Sequence, residues 1–288
     1  MTADVLSTRQ VATLLGVGEA TVKRWADAGE IDCFRTPGGH RKFRLRDITT
    51  FVQERNYQAK GPLPSGVPAD AGEPGPSAVE HFETAALRGD AQALVAQLTL
   101  LRLRGTDLPT LFDEIVAKAL TRVGDAWEKH RISIAEEHVA AQAVIDAIAR
   151  AQPLAEPPGE PVRPDRGVAI VAAVAGELHD IAARMCACLL RARGFEVLAP
   201  LAQTPSRDLA DLVLRSRASL VVLSSTVEPR VEEQVSMAVA AAREVSGRVV
   251  VGGSAMRDAR LPDEARLLSS LRELWIESDS AGRRRARA

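Results

Sequence analysis

The segment Val168-Ala-Ile-Val-Ala-Ala-Val-Ala-Gly-Glu-Leu-His-Asp-Ile-Ala182 is the most informative part of the chain for the fold of its second half. An apolar, β-branched run ends in Ala-Gly, and Glu177-Leu-His179-Asp180 then opens an amphipathic helix. This order predicts a buried parallel strand, a loop that carries His179, and a helix. Ligands of open α/β sheets bind at the carboxyl ends of the strands, so His179 is a candidate binding residue. The alternative is a helix-capping loop with a solvated histidine.

Short apolar runs and amphipathic helical stretches alternate through the rest of this region, which predicts a doubly wound, flavodoxin-like (Rossmann-like) α/β domain over residues 166–277. Four strands are predicted, at 168–174, 195–199, 219–224 and 248–252. The helices between them are predicted at 180–193, 206–217 and 229–245. Residues 257–277 favour a helix, so Ala265–Leu268 is the only candidate for a fifth strand.

Two of the predicted strands end in small residues. Ser224-Ser225 closes the third strand, and Gly252-Gly253 closes the fourth. A bulky side chain would fill the space between such loops, whereas glycine lets the backbone approach a ligand closely. Together with His179, these loops predict a ligand slot at the carboxyl edge of the sheet.

Two short helices that each end at a glycine open the chain, at Ser7–Gly16 and Gly18–Gly29. Their apolar positions, among them Val11, Leu15 and Val22, are spaced to form a small core. The pattern predicts a helix-turn-helix whose second helix enters a DNA major groove.

A basic hairpin follows at residues 31–46, with five basic side chains and no acid between Cys33 and Arg46. A basic hairpin beside a recognition helix is a wing, suited to phosphate and minor-groove contact. The alternative is a solvated hairpin without a role in DNA binding. The predicted DNA-binding residues of the helix and wing are Thr21, Lys23, Arg24, Arg35, His40, Arg41, Lys42 and Arg44.

The string Arg35-Thr-Pro-Gly-Gly-His-Arg-Lys-Phe-Arg44 resembles the wing of the MerR and excisionase-like winged-helix family, and the resemblance covers residues 5–55. It implies a winged helix-turn-helix DNA-binding domain, which we place at residues 1–57, with a double-stranded DNA operator as its partner.

The middle of the chain shows helical periodicity between two segments rich in proline and glycine. We predict a flexible linker at 58–78, a four-helix-bundle cap at 79–152, and a second linker at 153–165. Ser133-Ile-Ala-Glu136 is a capping box, so the last helix of the bundle should start near Ile134. The basic tail at 278–288 is expected to be disordered.

Composition excludes several protein classes. The 288 residues are 46% hydrophobic with a net charge of −1, as in soluble globular proteins. No run suits a membrane span or a signal peptide, so we expect a cytoplasmic protein with no membrane partner. Three cysteines are too few for a disulfide framework, and Cys186 is expected to pack against the sheet.

The order Glu177-x-His179-Asp-Ile-Ala182 resembles the cobalamin-binding motif Asp/Glu-x-His-x-x-Gly, with alanine in place of the usual glycine. The family also has a Ser-x-Leu segment, where this chain has Thr226 in place of leucine, and a Gly-Gly pair. The resemblance implies that His179 is the lower cobalt ligand. The implied cofactor-binding residues of this domain are Glu177, His179, Asp180, Ile181, Ser224, Ser225, Gly252 and Gly253.

With its winged helix, helical cap and sheet domain, the chain resembles over nearly its whole length the CarH, CarA and LitR group of cobalamin-dependent transcriptional regulators. That group has a Trp-x9-Glu-His pattern in the cap over the upper cobalt face, which Trp127 and Glu137-His138 match. In its light-sensing members a histidine follows the tryptophan and becomes an upper ligand after photolysis. This chain has Glu128 there, and His130 two residues further on.

The sequence therefore predicts a transcriptional regulator rather than an enzyme. Cobalamin would control its assembly on DNA as a homodimer or tetramer. Adenosylcobalamin is the expected form of the cofactor, and methylcobalamin is the alternative. We also expect a response to light. Two other interpretations remain. One is a DNA-binding regulator whose degenerate sensor domain acts only in protein–protein contact. The other is a corrinoid carrier or enzyme component, which would leave the winged helix unexplained.

Overall fold

The computed structural model describes residues 5–44, 47–48, 51–52, 55, 74–151, 165–202, 204–227 and 231–282. They form two compact units, with the boundary at residues 161 and 162. No helix in these described ranges is long and apolar enough to cross a membrane. Apart from residues 74–78 and 165, the two predicted linkers lie outside the described residues, as does the end of the predicted tail at 283–288.

The first unit begins with a helix-turn-helix against a small antiparallel sheet of order β1-β3-β2. Its elements are β1 (Val5–Ser7), α1 (Thr8–Leu15), α2 (Glu19–Asp27), β2 (Phe34–Arg35) and β3 (Arg41–Arg44). The Ser7 N–H donates to Gln10 Oε1 at 2.9 Å and the Gln10 N–H donates to Ser7 Oγ at 3.3 Å. This reciprocal cap explains why α1 begins at Thr8.

The core of this domain is built from both helices, the hairpin and the segment after it. Val11, Leu15, Val22 and Phe43 are fully buried. The Trp25 ring packs on Phe51, with ring centroids 4.7 Å apart. In the segment after the hairpin, residues 47–48 and 51–52 are helical.

A four-helix bundle follows, as predicted. Its helices are α3 (Pro76–Leu87), α4 (Ala91–Leu103), a third helix in three parts, and α7 (Ile134–Ala151). The third helix consists of α5 (Leu108–Thr110), a π-helical segment (Leu111–Val116) and α6 (Ala117–Glu128). Leu94, Leu101, Ile115 and Val144 are among its fully buried side chains.

Short polar caps set the ends of these helices. Asp90 and Asp107 accept hydrogen bonds from the N–H groups of Ala93 and Thr110, at 2.9 and 2.8 Å. Ser133 and Glu136 cap each other, at 2.7 Å for Ser133 N–H to the Glu136 carboxylate, which confirms the predicted start of α7. Helix α3 starts at Pro76, inside the predicted linker, because proline suits the first turn of a helix.

The second unit is a doubly wound sheet domain, which confirms the predicted fold class. Its five parallel strands have the order β5-β4-β6-β7-β8. The strands are β4 (Val168–Ala173), β5 (Glu196–Leu201), β6 (Leu220–Ser224), β7 (Arg248–Gly252) and β8 (Ala265–Leu268). The helices are α8 (Ile181–Ala192), α9 (Ser206–Ser216), α10 (Glu232–Glu244), α11 (Ser254–Arg257) and α12 (Leu271–Gly282).

Alternate residues of the strands feed two hydrophobic layers, because strand side chains point to opposite faces in turn. Ile170 and Val221 pack on one face with Leu209 of α9 and Val235 of α10. On the other face the sheet packs against α8 and α12, and the predicted contact of Cys186 with the sheet is confirmed there. Strands buried on both faces explain the continuous apolar runs of the sequence.

Two expectations for the end of the chain are wrong. Ala265–Leu268 is a strand, β8, so residues 257–277 are not one helix; it pairs in parallel with β7, and Leu268 is buried. Helix α12 also continues past the predicted start of the disordered tail, to Gly282. The buried Ser278 hydroxyl donates to Trp275 O at 2.7 Å and accepts from Arg193 Nε at 3.2 Å, which holds this last turn.

Candidate functional site

Three loops at the carboxyl edge of the parallel sheet bring together the predicted site residues of the second unit. The first follows β4 and carries Glu177 and His179, the second follows β6, and the third follows β7. The second is joined to the third by the Ser225 N–H, which donates to Gly252 O at 3.0 Å, and by the Ser254 hydroxyl, which donates to Thr226 O at 2.6 Å.

His179 lies in the first loop, where one ring nitrogen contacts a carboxylate and the other is accessible. Its Nδ1 lies 2.6 Å from Glu177 Oε1, and its side chain is 57% exposed. Within the described residues, Nε2 of this ring takes part in no hydrogen bond. A carboxylate on one ring nitrogen fixes the tautomer and leaves the other nitrogen free to bind a metal. The geometry therefore suits a metal ligand at Nε2.

The Glu177 carboxylate ties the first loop to the second. It is fully buried. Its Oε2 accepts hydrogen bonds from the N–H groups of Thr226 and Val227, at 2.6 and 2.9 Å, and from the Ser225 hydroxyl at 3.3 Å. Burial alone would raise the pKa of Glu177, but the hydrogen bonds from Val227, His179 and Thr226 outweigh burial and lower its pKa to about 2.

The depressed pKa makes the stability of this domain depend on pH. Because the pKa of Glu177 falls on folding, from 4.5 to about 2, its contribution is present above pH 4.5 and is lost as the pH falls toward 2. We expect Glu177→Gln to lower the free energy of unfolding at pH 7 by on the order of 3 kcal/mol and to flatten its acid dependence. Urea denaturation of the full chain between pH 7 and pH 3 measures both.

Glu196→Gln is the matched control, because this glutamate is exposed at the start of β5 in the same domain. We expect its stability and pH profile to match those of the unmodified chain. Equal pH profiles for the Glu177 variant and the unmodified chain would show that this carboxylate does not hold the loops.

Small residues at the ends of β6 and β7 complete this edge. The Ser224 hydroxyl is buried and has no hydrogen-bond partner among the described residues. Gly253 has φ +107°, and a Cβ placed there would lie 2.0 Å from Ser225 O. Glycine at 253 is therefore required by the neighbouring backbone, a constraint that the sequence did not reveal. A Cβ at Gly252 would meet nothing nearer than Leu268 O at 3.5 Å, an ordinary contact.

Two supporting contacts of the His179 loop were not found from the sequence. The Gln234 side chain of α10 accepts from Ala175 N–H at 2.5 Å and donates to Ala175 O at 3.0 Å. Asp180 forms a two-point ion pair with Arg184, one helical turn on, at 2.9 and 2.7 Å. Only the second carries a sequence signal, an acid and a base at i and i+4 on a helix. Ile181, another predicted site residue, is the first residue of α8.

In the winged helix, several of the predicted DNA-binding residues line a groove of about 510 Å³ between α1, α2 and the wing. The charged and titratable side chains along it are Arg9, Glu19, Lys23, His40, Arg41 and Lys42. Arg9 and Glu19 were not among the predicted residues. A concave basic surface beside a recognition helix suits a DNA backbone.

The other predicted DNA-binding residues lie around this groove. Arg24, on α2, is exposed, and Thr21, on the same helix, is half-buried. Arg35 donates to Gly39 O within the wing at 3.4 Å, and the Arg44 guanidinium lies 5.8 Å from the centre of the Phe34 ring. Arg41 pairs with Asp27 at the end of α2, so its charge also ties the wing to the recognition helix.

The helical bundle exposes the predicted cap residues. Trp127 lies in the last turn of α6 and is 46% exposed. Glu137 is in the first turn of α7, and the exposed His138 follows it, with Nε2 3.6 Å from the Glu137 carboxylate. Glu128 ends α6 and is exposed as well, as is His130, which has φ +55°. An exposed tryptophan at a helix end is a surface that a ligand can cover.

Comparison with protein families assigns each domain. A helix-turn-helix domain model matches residues 5–56, and two different B12 binding domain models match residues 78–152 and 167–262. The domain order is that of a CarH-type cobalamin-binding transcriptional regulator. The HTH-type transcriptional repressor CarH of Myxococcus xanthus is 29% identical over 272 residues, which cover 85% of this chain and 88% of that protein.

Two other similarities cover less of the chain. The transcriptional repressor DcmR of Methylorubrum extorquens is 39% identical over 62 residues, which are 20% of this chain and 23% of that protein. The Methanosarcina barkeri monomethylamine corrinoid protein has a similar fold, with a TM-score of 0.56 at 16% identity, over 69% of this chain and 96% of that chain. The similarity to a corrinoid protein reflects the shared fold.

The residues at the sheet edge fit a cobalamin. His179 offers an open Nε2 for cobalt, and cobalt accepts imidazole nitrogen readily. Among the residues that the structure describes, the buried Ser224 hydroxyl has no hydrogen-bond partner, which costs free energy unless a ligand atom supplies the hydrogen bond. The polar atoms of a nucleotide tail can supply it. The roles of the individual residues remain predictions.

Proposed function

We propose that this CarH-type chain binds adenosylcobalamin and that the cofactor controls its assembly on operator DNA, with light as the signal that ends the assembled state. Repression is the direction suggested by the names of both regulator relatives. The observation that carries the proposal is the open Nε2 of His179, held by Glu177, in a chain that also has a basic winged helix.

The proposed regulation is a linkage between two binding equilibria. A ligand that binds the DNA-competent assembly more tightly than the free chain shifts the population toward that assembly. One winged helix contacts few bases, so a homo-oligomer on repeated half-sites would gain affinity through effective concentration. Bound cobalamin would supply the photolabile cobalt–carbon bond on which a light response depends.

Reconstitution tests this proposal. The full chain is mixed with adenosylcobalamin in the dark and separated from free cofactor, and its visible spectrum and molar mass are recorded before and after illumination. We expect retained cofactor, an assembly larger than the free chain, and a change in both on illumination. A chain that binds DNA but retains no cobalamin would instead be a regulator with a degenerate sensor, as Ala182 and Thr226 would then explain.

Basic residues of the helix and wing are predicted to contact DNA phosphates. We expect Lys23→Gln, Arg24→Gln, Arg35→Gln, Arg41→Gln and Lys42→Gln each to weaken binding to a generic DNA duplex. Each lost phosphate contact should also flatten the slope of log affinity against log salt by about one unit. Arg88→Gln, on an exposed arginine of the bundle, is the control that should leave both unchanged. Unaltered salt slopes in all the wing variants would exclude this docking.

The cap residues are predicted to recognise the upper face of the cofactor, because an indole can cover an adenosyl group and a carboxylate can accept hydrogen bonds from it. We expect Trp127→Ala and Glu137→Gln to weaken adenosylcobalamin binding by roughly tenfold, while hydroxocobalamin, which lacks that group, binds nearly as before. Equal losses for the two cobalamins would contradict the upper-face assignment.

Glu128 is predicted to leave the illuminated protein without a protein-derived upper ligand, because a carboxylate is a poorer partner than imidazole for cobalt(III). We expect a leakier switch than in relatives with histidine at this position, and Glu128→His should give a two-histidine absorption spectrum after illumination. A two-histidine spectrum in the unmodified chain would contradict this prediction and direct attention to His130 or His138.

A further inference from the structure

One carboxylate stands among the basic side chains of the DNA-binding groove. Glu19 lines the groove together with Arg9, Lys23 and Lys42. It is exposed, and within the described residues no hydrogen bond or ion pair holds its side chain. A carboxylate in a groove that faces phosphates weakens the attraction, since like charges repel. A compensating interaction with the DNA would account for its presence there.

We propose that Glu19 is a specificity-determining residue that accepts a hydrogen bond from the exocyclic amino group of a cytosine in the major groove. The inference rests on the DNA-binding role proposed for this groove. Glu19 is the first residue of the recognition helix, and the N-terminal residues of such helices contact base edges. A carboxylate accepts from cytosine N4 in this way, whereas it is repelled by every phosphate.

The geometry of α2 gives different DNA contacts to Glu19 and Lys23, which lie on one face of the helix. Lys23 follows Glu19 by four residues, so both project from the same side of the helix into the groove. The lysine can neutralise a phosphate at the edge of the groove while Glu19, at the helix tip, meets the bases. Arg9 at the start of α1 and Lys42 in β3 add positive charge around them.

A second role for Glu19 makes different predictions. An acid in the first turn stabilises a helix through its dipole, and Gly18 at the cap offers no side chain to do so. If that were its only role, removal of the charge would lower the melting temperature and weaken binding to all DNA sequences alike. A residue that reads a base instead changes the preference at one position of the binding site.

The test is a selection from a duplex library with a randomised core, performed with the full chain supplied with cobalamin and followed by sequencing of the bound fraction. We expect the unmodified chain to select cytosine strongly at one half-site position. Glu19→Ala should lose about tenfold of that preference at this position alone. Glu19→Gln should shift the preference toward adenine, since glutamine pairs with its N6 and N7. Both variants should bind a non-cognate duplex more tightly, because a repulsive charge is removed.

Asp32→Asn is the matched control, because this carboxylate is exposed in the same domain and lies outside the groove. It should leave the selected motif unchanged. An unchanged motif in both Glu19 variants overturns the proposal, and so does an equal loss of preference at all positions with a lower melting temperature. An unmodified chain that binds no duplex overturns the DNA-binding role itself, and the inference with it.

Discussion

His179→Ala is expected to abolish tight cobalamin binding while leaving a folded chain. The ring offers an open nitrogen at this edge of the sheet, so the variant would lack the predicted lower ligand for cobalt. Loss of a residue that merely supports a ligand costs about 10- to 100-fold in metal affinity, so loss of the ligand itself should cost at least 100-fold. Spectral titration with adenosylcobalamin measures the change.

The fold should survive this substitution because the ring is more than half exposed and packs into neither core layer. Glu177 still accepts hydrogen bonds from the N–H groups of Thr226 and Val227 and from the backbone N–H of the substituted residue. Excess cobalamin should therefore raise the melting temperature of the unmodified chain but not that of the variant, since only a ligand that binds the folded state stabilises it. His40→Ala, in the wing, is the control for a lost histidine. If His179→Ala bound cobalamin as tightly as this control does, the ligand assignment would be refuted.

Gly253→Ala should be the most destabilising change at this site. Alanine there would place its methyl group 2.0 Å from Ser225 O at a φ of +107°. The strained backbone and the steric overlap together should cost on the order of 3 kcal/mol or more. The loop after β7 would have to move away from the loop after β6. Urea denaturation without cobalamin should show this loss.

Gly252→Ala is the comparison that separates fold from ligand at the Gly-Gly pair. Its methyl group would make only an ordinary contact, at 3.5 Å from Leu268 O, so stability should change by less than about 1 kcal/mol. Weaker cobalamin binding by this stable variant would indicate that the methyl group enters the ligand slot. Equal stability of the two alanine variants would show that the close approach at Gly253 is relieved without cost.

Much of the fold could be predicted because its elements carry local signals. Buried parallel strands are continuous apolar runs, so β4, β6 and β7 were predicted to within a residue or so. The start of α7 was predicted because Ser133 and Glu136 form their cap within four residues. Strand β8 was named only as a candidate within a favoured helix, because Ala-Arg-Leu-Leu is short and its identity depends on pairing with β7.

In the candidate site, too, contacts between residues close in sequence could be predicted and contacts between distant residues could not. A histidine two residues after a glutamate is visible in the sequence, and their contact follows from that spacing. The bonds from Glu177 to the loop after β6 span 48 to 50 residues, and those between Gln234 and Ala175 span 59. No local pattern predicts such pairs. The pairing of Arg41 with Asp27, which gives a predicted DNA contact a second role, is hidden for the same reason.

The π-helical segment Leu111–Val116 has a consequence for how this family tolerates changes in length. A π-helical turn holds more residues than the 3.6 of an α-helix, and each residue of an α-helix turns the chain by about 100°. Deleting one residue from the segment would restore regular winding and keep Trp127 on its present face. The same deletion anywhere between residues 117 and 126 would turn the tryptophan away by about 100°. A homologue that lacks one residue of this helix before the tryptophan is thus compatible with the same cap only if its gap falls within 111–116.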